Sequence, residues 1–335
     1  GALLVWATPW WKPRNSAALA LACCLVAAGV GYAAFRTHHL LLDAATPVAG
    51  LALAFGAMLL LTLAETTRHR HALERVVQRQ REHAARIAGE LDAARRIQMA
   101  MLPRAELLAD ESRVDLAATM LPAREVGGDL YDFFLLDERR LFFLVGDVAG
   151  KGLSASIFMA VSKALYKSTT LRTAAPDMGA LMIAANAEVS RDNPQMLFVS
   201  VFAGLLDLDS GDLAYCNAGH ENPCRIHAAD ATVRRIVDGD GPALCVVDGF
   251  VYRGANVKLR PGEALCLVSD GVTEAHAPSG ELFGNARLER LLLGVRGGER
   301  SARAIVDAVC DGVATFVAGA EASDDITVLA LRHGP

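Results

Sequence analysis

The stretch that decides the fold is Val145-Gly146-Asp147-Val148-Ala149-Gly150-Lys151-Gly152. It begins where an apolar run over residues 141–145 ends, and an apolar run bounded by Gly predicts a buried strand. Its glycines allow backbone conformations closed to other residues and a close approach to a ligand. Apolar side chains then recur on one face of residues 154–166, which predicts a helix. The carboxylate of Asp147 therefore lies between a strand end and a Gly-rich turn, a layout that indicates phosphate or metal chemistry.

A nucleotide-binding P-loop is the first alternative. That motif needs four residues between its first Gly and its Gly-Lys pair, followed by Ser or Thr. Here three residues separate Gly146 from Gly150, and Gly152 follows Lys151. The spacing and the missing hydroxyl argue against ATP or GTP binding by this turn. A plain strand-to-helix turn, with Asp147 as a cap, would be favoured if the stretch stood alone.

The composition sets broad limits. The chain has 335 residues, which is room for one large domain or two small ones. Hydrophobic residues make up 53 %, and the excess is concentrated near the start of the chain. The net charge of −5 gives no reason to expect nucleic-acid binding. The seven cysteines show neither metal-site spacing nor a disulfide framework, which indicates a reducing compartment.

Two uncharged runs, residues 16–35 and 44–64, are each long enough to cross the hydrocarbon core of a membrane. A pair of buried core helices is the alternative. Lys12 and Arg14 precede the first run, one arginine (Arg36) lies in the short connection, and several arginines follow the second run. The positive-inside bias puts both flanks in the cytoplasm.

We therefore predict that residues 1–64 form a membrane region with two transmembrane helices and, at its start, part of a third. Trp6, Trp10 and Trp11 suit a membrane interface. The chain starts inside an apolar segment without an initiator Met, so we expect a fragment of something longer. The expected location is the inner or cell membrane, multi-pass, with the catalytic domain in the cytoplasm.

Residues 65–101 predict a helix, because they are rich in Ala, Arg, Glu, Gln and Leu and contain no Pro. Side chains recur there at alternating four- and three-residue steps, which is the heptad spacing of a coiled coil. This seam predicts a coiled-coil linker that forms a homodimer; the alternative is one amphipathic helix lying on its own domain. The seam consists of Leu73, Val77, Gln80, Ala84, Ile87, Leu91, Ala94, Gln98 and Met101.

Strand signals after Pro103 mostly adjoin other strand signals instead of alternating strictly with helices. This pattern predicts an α+β domain over residues 102–333, with mostly antiparallel sheets and helices packed outside. The predicted strands are 114–120, 141–145, 198–207, 213–217, 264–268 and 326–331. The predicted helices are 154–166, 177–189, 288–295 and 302–317.

Acidic residues recur at the predicted strand ends. Asp129 follows Gly127 and Gly128, Asp147 and Asp270 each end an apolar strand, and Asp324-Asp325 precedes the last strand. Carboxylates that converge there would make a hard, oxygen-rich site suited to Mg²⁺ or Mn²⁺. Each Asp alone could equally be a turn former. The sequence offers no Cys–His cluster that would favour zinc.

An ordered set of motifs resembles the metal-dependent PPM protein serine/threonine phosphatases, in the bacterial SpoIIE-like branch that regulates sigma-factor partner switching. The resemblance covers roughly residues 95–333 and implies an α-β-β-α sandwich with the metals at one end of the sheets. The motifs are Arg95-Arg96-Ile97-Gln98, Gly127-Gly128-Asp129-Leu130-Tyr131-Asp132, Gly146 to Gly152, Asn217-Ala218-Gly219-His220, Ser269-Asp270-Gly271-Val272-Thr273-Glu274, Phe283-Gly284 and Asp324-Asp325-Ile326-Thr327.

The resemblance also implies a role for each acidic residue. Asp147 would bridge two Mn²⁺ or Mg²⁺ ions, and the backbone carbonyl of Val148 would bind the second ion. Asp270 and Asp324 would bind the first ion. Asp129 would orient water or help to bind a further ion.

The resemblance also has implications for three other positions. Asp325 stands where the family often has Asn or Asp, so it is a further candidate metal ligand. Arg124 has the spacing of a phosphate-binding Arg in the eukaryotic branch; a surface Arg is the alternative. Ala149 stands where that branch has a His proposed as the general acid, so the resemblance leaves the proton donor unassigned.

The predicted function is metal-dependent hydrolysis of phosphoserine or phosphothreonine on a regulatory protein. The resemblance implies an anti-anti-sigma STAS-type protein as the partner. The alternative is a catalytically silent membrane signalling scaffold, which loss of a metal carboxylate would favour. A cyclic-dinucleotide synthase is disfavoured, because Leu130 stands where that motif needs Glu after Gly127-Gly128-Asp129.

Overall fold

The computed structural model describes residues 13–39, 45–172, 177–191, 193–227, 232–295, 301–320 and 322–334. The chain divides into two compact units, Gly1–Ile87 and Ala88–Pro335. The boundary between the units falls inside the predicted linker. The three tryptophans predicted to lie at a membrane interface are outside the described residues.

The first unit is helical. Helix α1 is Pro13–His38, and α2 is Ala45–Met101, whose last turns belong to the second unit. Two stretches are long and apolar enough to cross a membrane, judged by length and composition alone: Leu21–His38 and Val48–Met101. The predicted second membrane run and the predicted helical linker over residues 65–101 both lie on α2. No Pro or Gly near residue 64 would end a helix there.

The second unit holds the remaining elements, including a 3₁₀ turn at Ala105–Leu108. The strands are β1 Val114–Leu121, β2 Leu130–Leu135, β3 Arg140–Val148, β4 Val199–Asp207, β5 Asp212–Ala218, β6 Cys224–Ile226, β7 Val233–Arg235, β8 Asp240–Gly241, β9 Ala255–Lys258, β10 Ala264–Val268 and β11 Ile326–His333. The helices are α3 Leu153–Leu171, α4 Met178–Arg191, α5 Asp270–Thr273, α6 Gly284–Gly294 and α7 Ala302–Val317.

Two sheets form the second unit. One has the strand order β1-β11-β10-β6-β7, and the other has the order β2-β3-β4-β5-β8, with β9 also paired to β5. Every pairing is antiparallel except the short one between β5 and β8. The predicted pair of mostly antiparallel sheets with helices outside is confirmed.

Three apolar layers hold the second unit together. Phe143 and Val145 of β3 point into a core between the sheets, where side chains of β10 and β11 also pack. Phe142 and Leu144 point the other way and pack with α3 and α4. A third layer packs α6 and α7 against the outer face of β10 and β11. Strand β3 is therefore buried on both faces, which explains its unbroken apolar run.

The strand registers bring the predicted acidic positions to the same end of the sandwich. Leu130 of β2 pairs with Gly146 of β3, so Asp129 and Asp147 lie at the same edge. In the other sheet Val268 of β10 pairs with Val328 of β11. Asp270 follows β10 and Asp324-Asp325 precedes β11, so these residues also share one edge.

Candidate metal centre

Five carboxylates surround the end of the sheets where β3 and β10 finish, and we call them the carboxylate cluster: Asp129, Asp147, Asp270, Asp324 and Asp325. Close backbone packing joins the first two. The Val148 amide donates to the Gly128 carbonyl at 3.3 Å. A Cβ at Gly128 would lie 2.6 Å from the Val148 carbonyl oxygen and 3.4 Å from Asp147 Oδ1. Only Gly permits this approach, which sets Asp129 beside Asp147 and the Val148 carbonyl.

The other carboxylates are joined in the same way. A Cβ at Gly271 would overlap the backbone carbonyl of Asp325, so the turn after β10 packs directly on the Asp324-Asp325 backbone. Ser269 strengthens this contact: its hydroxyl donates to the Asp325 carbonyl at 3.1 Å and accepts from the Thr327 amide at 2.9 Å. The contact between the two strand ends keeps Asp270 next to Asp324.

The electrostatics of the cluster are unfavourable for so many carboxylates. Burial raises the pKa of Asp129 well above its ordinary value, and repulsion from Asp147 adds to the effect. Burial and repulsion from Asp270 raise the pKa of Asp147 to about 7. Burial and the nearby Asp324 also raise the pKa of Asp270. A cation bound among these side chains would relieve their mutual repulsion.

Protein groups contact the carboxylate oxygens of Asp324 and Asp325. Asp325 Oδ1 accepts from the Ala123 amide at 2.8 Å, and Oδ2 accepts from the Gly128 amide at 2.7 Å. Asp325 thus holds the loop before Asp129, while its role as a metal ligand stays a prediction. Asp324 Oδ2 pairs with Lys151 Nζ at 2.8 Å.

The donor atoms fit a hard divalent cation in type. Asp129 Oδ2 is buried without a hydrogen-bond partner, and the cluster offers carboxylate oxygens together with the Val148 carbonyl. Within the described residues, no group of three or more His, Cys, Asp or Glu side chains is arranged so that it could hold a metal ion as it stands. The contacts of Asp324 and Asp325 account for part of this, since these carboxylates face protein partners. The predicted ligands are brought together as neighbours, and their role as metal ligands stays a prediction.

Gln98 is a residue whose role the sequence reasoning missed. Its side chain is 4 % exposed, and it donates to the Gly127 carbonyl at 2.7 Å and accepts from the Gly127 amide at 3.1 Å. From the sequence, Gln98 was assigned to the heptad seam and to the motif Arg95-Arg96-Ile97-Gln98, without a contact partner. The available signal was its place in a motif just before Pro103, where a buried polar side chain must find partners.

A buried ion pair was also missed. Lys163 of α3 contacts Asp132 of β2 at 2.7 Å, and both side chains are nearly inaccessible to solvent. Burial lowers the pKa of Lys163, although the Asp132 carboxylate opposes this. The pair ties the strand that follows Asp129 to the helix that follows the Gly-rich turn.

Two residues discussed from the sequence lie outside the cluster's contacts. Arg124 is exposed in the loop between β1 and β2, and its predicted phosphate role stays a prediction. His220 is buried, its Nδ1 lies 2.9 Å from the Ser200 hydroxyl, and burial lowers its pKa to about 4. A neutral, enclosed imidazole of this kind supports the fold.

A sandwich with an oxygen-only carboxylate cluster at the shared end of its sheets defines the PP2C class of phosphatase domains, also called PPM. The fold agrees with the SiaA-PP2C domain of Pseudomonas aeruginosa, with a TM-score of 0.65 and 22 % identity over 75 % of this chain and 98 % of that one. The family model for Stage II sporulation protein E (SpoIIE) matches residues 137–334, which is more than half of the chain. The chain therefore belongs to the SpoIIE family, and the predicted family is confirmed.

Two curated relatives show how much of a longer protein is covered. Protein IcfG of Synechocystis sp. is 29 % identical over 267 residues, which are 72 % of this chain and 41 % of IcfG. Phosphoserine phosphatase RsbU of Bacillus subtilis is 26 % identical over 196 residues, which are 58 % of this chain and 57 % of RsbU. The chain thus spans about half the length of these relatives.

Proposed function

We propose that this chain hydrolyses phosphoserine or phosphothreonine on a regulatory protein, with two or more Mn²⁺ or Mg²⁺ ions held by the carboxylate cluster. The observation that carries the proposal is the set of neighbouring acidic side chains whose pKa values rise through burial and mutual repulsion. Such ions, when bound, would lower the pKa of a water molecule and neutralise charge on the phosphoryl group.

The residues of the chain would divide the work. Asp147, Asp270, Asp324 and the Val148 carbonyl would hold the ions. Asp129 would orient water or a further ion from its buried position. Asp325, a further candidate ligand, keeps the loop before Asp129 in place by accepting hydrogen bonds from the Ala123 and Gly128 amides.

The leaving serine or threonine oxygen must gain a proton during hydrolysis. Ala149 offers no acidic group, so the proton would come from water or from another group of the site. Arg124 stays a candidate for contact with the phosphate, since an exposed guanidinium can bind a phosphoryl group in a bidentate manner.

We infer that the substrate is a phosphorylated STAS-type protein of a sigma-factor partner switch. Two arguments support this inference: the motif resemblance to the SpoIIE-like branch and the similarity to RsbU, which is named a phosphoserine phosphatase. The acidic net charge gives no support to a nucleic-acid partner.

The first unit would anchor the chain and pair it with a second copy. We propose a multi-pass location in the inner or cell membrane with the phosphatase domain in the cytoplasm, supported by the two apolar stretches of α1 and α2. Leu73, Val77 and Ile87 of α2 are exposed at heptad spacing, which supports a homodimer through this helix.

The dimer can be tested with charged substitutions in the seam. Leu73→Lys combined with Val77→Lys should convert a dimer into a monomer, because two charges would enter an apolar interface. Analytical ultracentrifugation of the full chain in detergent gives the mass. The control is Gln78→Lys, which adds a charge beside the seam. An unchanged mass for the seam variant would contradict the dimer.

The central experiment measures phosphate release from a phosphorylated STAS protein by the full chain, with Mn²⁺ and with a chelator. We expect turnover that requires the metal. Metal binding without turnover on this substrate would contradict the substrate assignment. Absence of both metal binding and turnover would favour the catalytically silent scaffold.

A further inference from the structure

Lys151 stands on an unusual piece of backbone beside the carboxylate cluster. It lies between Gly150 and Gly152, which have φ values of +98° and +84°. A side chain on either glycine would meet open space, so the two glycines are explained by their backbone angles and not by crowding. The loop projects Lys151 from the end of β3, three residues after Val148.

The ammonium of Lys151 is directed at the cluster. Nζ pairs with Asp324 Oδ2 at 2.8 Å and also donates to the backbone carbonyl of Ser323. The other oxygen of Asp324 accepts from the Asp325 amide at 2.9 Å. Lys151 therefore forms an ion pair with Asp324, a residue that the family resemblance assigns as a metal ligand.

This ion pair is easy to exchange. The Lys151 and Asp324 side chains are 36 % and 37 % exposed, and ion pairs with such access to water contribute little net stability. The buried pair between Lys163 and Asp132 is different, because both of its members are enclosed. A divalent cation at Asp324 would compete with the ammonium for Oδ2 and leave Lys151 free to turn on its flexible stem.

A phosphoryl group bound at the cluster would bring negative charge next to that loop. A compact ammonium with three donors is well suited to bind phosphate oxygens as a point charge. Lys151 is near enough to the carboxylates to touch one of them.

We propose that Lys151 is a phosphate-binding residue that exchanges its contact with Asp324 for the phosphoryl group of a phosphate monoester once cations occupy the carboxylate cluster. The proposal rests on the proposed phosphatase function. It predicts two opposite effects of removing the ammonium: tighter metal binding, because a competing cation is lost, and weaker phosphate binding.

The test uses the purified full chain and two binding measurements that do not depend on turnover. Mn²⁺ is titrated calorimetrically into the parent chain, Lys151→Gln and Lys151→Arg, and inorganic phosphate is then titrated into each Mn²⁺-loaded chain. We expect Lys151→Gln to bind Mn²⁺ about threefold or more tightly and phosphate about tenfold or more weakly than the parent. Lys151→Arg should bind phosphate within about threefold of the parent, since it keeps the charge.

The matched control is Lys258→Gln. Lys258 of β9 also pairs with an aspartate, Asp212, at 3.5 Å, and both side chains are exposed. This variant should bind Mn²⁺ and phosphate like the parent.

Unchanged phosphate affinity in Lys151→Gln, or unchanged or weaker Mn²⁺ affinity, would overturn the proposal, as would a parent chain that binds no phosphate when loaded with Mn²⁺. Hydrolysis of the phosphorylated STAS protein is measured separately. If the binding changes occur as expected but the chain does not hydrolyse the phosphorylated STAS protein, the proposed substrate is contradicted and the assignment of Lys151 is supported.

Discussion

The two ends of the sandwich carry acidic side chains in opposite electrostatic settings. At one end, burial and repulsion raise the pKa of Asp147 to about 7. At the other end, a hydrogen bond from Arg113 lowers the pKa of Glu111 to about 2. The β3–β4 register shows that these are opposite ends, because Asp147 pairs with Ser200 and Arg140 pairs with Asp207.

The two ends differ in the positively charged side chains that lie beside their carboxylates. We call the second group the distal ion-pair network: Glu111, Arg113, Arg139, Asp207 and Asp209. Arg113 contacts Glu111 at 2.6 Å and Asp209 at 2.7 Å, while Arg139 contacts Asp207 at 3.1 Å and Asp209 at 2.9 Å. In the carboxylate cluster, the ion pair found within the described residues is that of Lys151 with Asp324. Carboxylates matched by arginine thus serve the fold, and carboxylates in excess of their cations indicate a cation-binding site.

The largest expected effect comes from Asp147→Asn. This change keeps the shape of the side chain and removes the charge at the centre of the cluster, so phosphate release from the phosphorylated STAS protein should fall by at least about 100-fold. The assay is initial-rate phosphate release by the full chain with Mn²⁺.

The matched control for that variant is Asp209→Asn in the distal ion-pair network, which should turn over like the parent. Equal rates of phosphate release for Asp147→Asn and the parent would contradict a catalytic role for the carboxylate cluster.

A smaller effect is expected from Gln98→Ala. The substitution leaves the buried amide and carbonyl of Gly127 without partners, which costs about 1–3 kcal/mol, and part of this cost falls on the loop that positions Asp129. Turnover should fall about tenfold. Gln78→Ala, at an exposed position of the same helix, should have no effect. A Gln98→Ala rate within about twofold of the parent would show that the loop is held without Gln98.

The smallest effect is expected from Arg113→Met in the distal ion-pair network. The melting temperature near neutral pH should fall by about 2 °C, with unchanged turnover, because exposed ion pairs contribute little. The folded-state pKa of Glu111 lies below its unfolded value of 4.5, so the stabilisation is present above that value and is lost as the pH falls through about 2.

The check is a series of melts at decreasing pH. The difference between Arg113→Met and the parent should shrink below about pH 4.5. A difference that grows as the pH falls would contradict the assigned ion pairs.

The sequence predicted the acidic positions and the strands β1, β3, β4, β5, β10 and β11, because both depend on local signals. It did not predict β2 or the short strands β6 to β9. The unbroken apolar run before Asp147 and the strand before Asp270 each end at a Gly turn, and that turn sets the edge of a sheet. Strand ends were placed within a few residues; β11, for example, was predicted to end at residue 331 and extends to His333. The start of α6 was missed, since the helix begins at Gly284 and not at residue 288.

The contacts between distant segments could not be predicted from local signals. Gln98 and Gly127 are 29 residues apart, and Asp325 lies 197 residues from the amide of Gly128 that it accepts from. Asp325 directly precedes β11, which pairs with β1 at the other end of the chain. Lys151 illustrates the same limit: its place in the Gly-rich turn was plain, whereas its contact with Asp324 depends on how the two sheets stack.

The most direct test of the central claim is a calorimetric titration of Mn²⁺ into the full chain, Asp147→Asn and Asp209→Asn. The contrast between the two ends predicts that the parent and Asp209→Asn bind two or more ions, and that Asp147→Asn loses most of this binding. A parent chain that binds no Mn²⁺, or an Asp147→Asn chain that binds it as the parent does, would contradict the assignment of the carboxylate cluster as a metal centre.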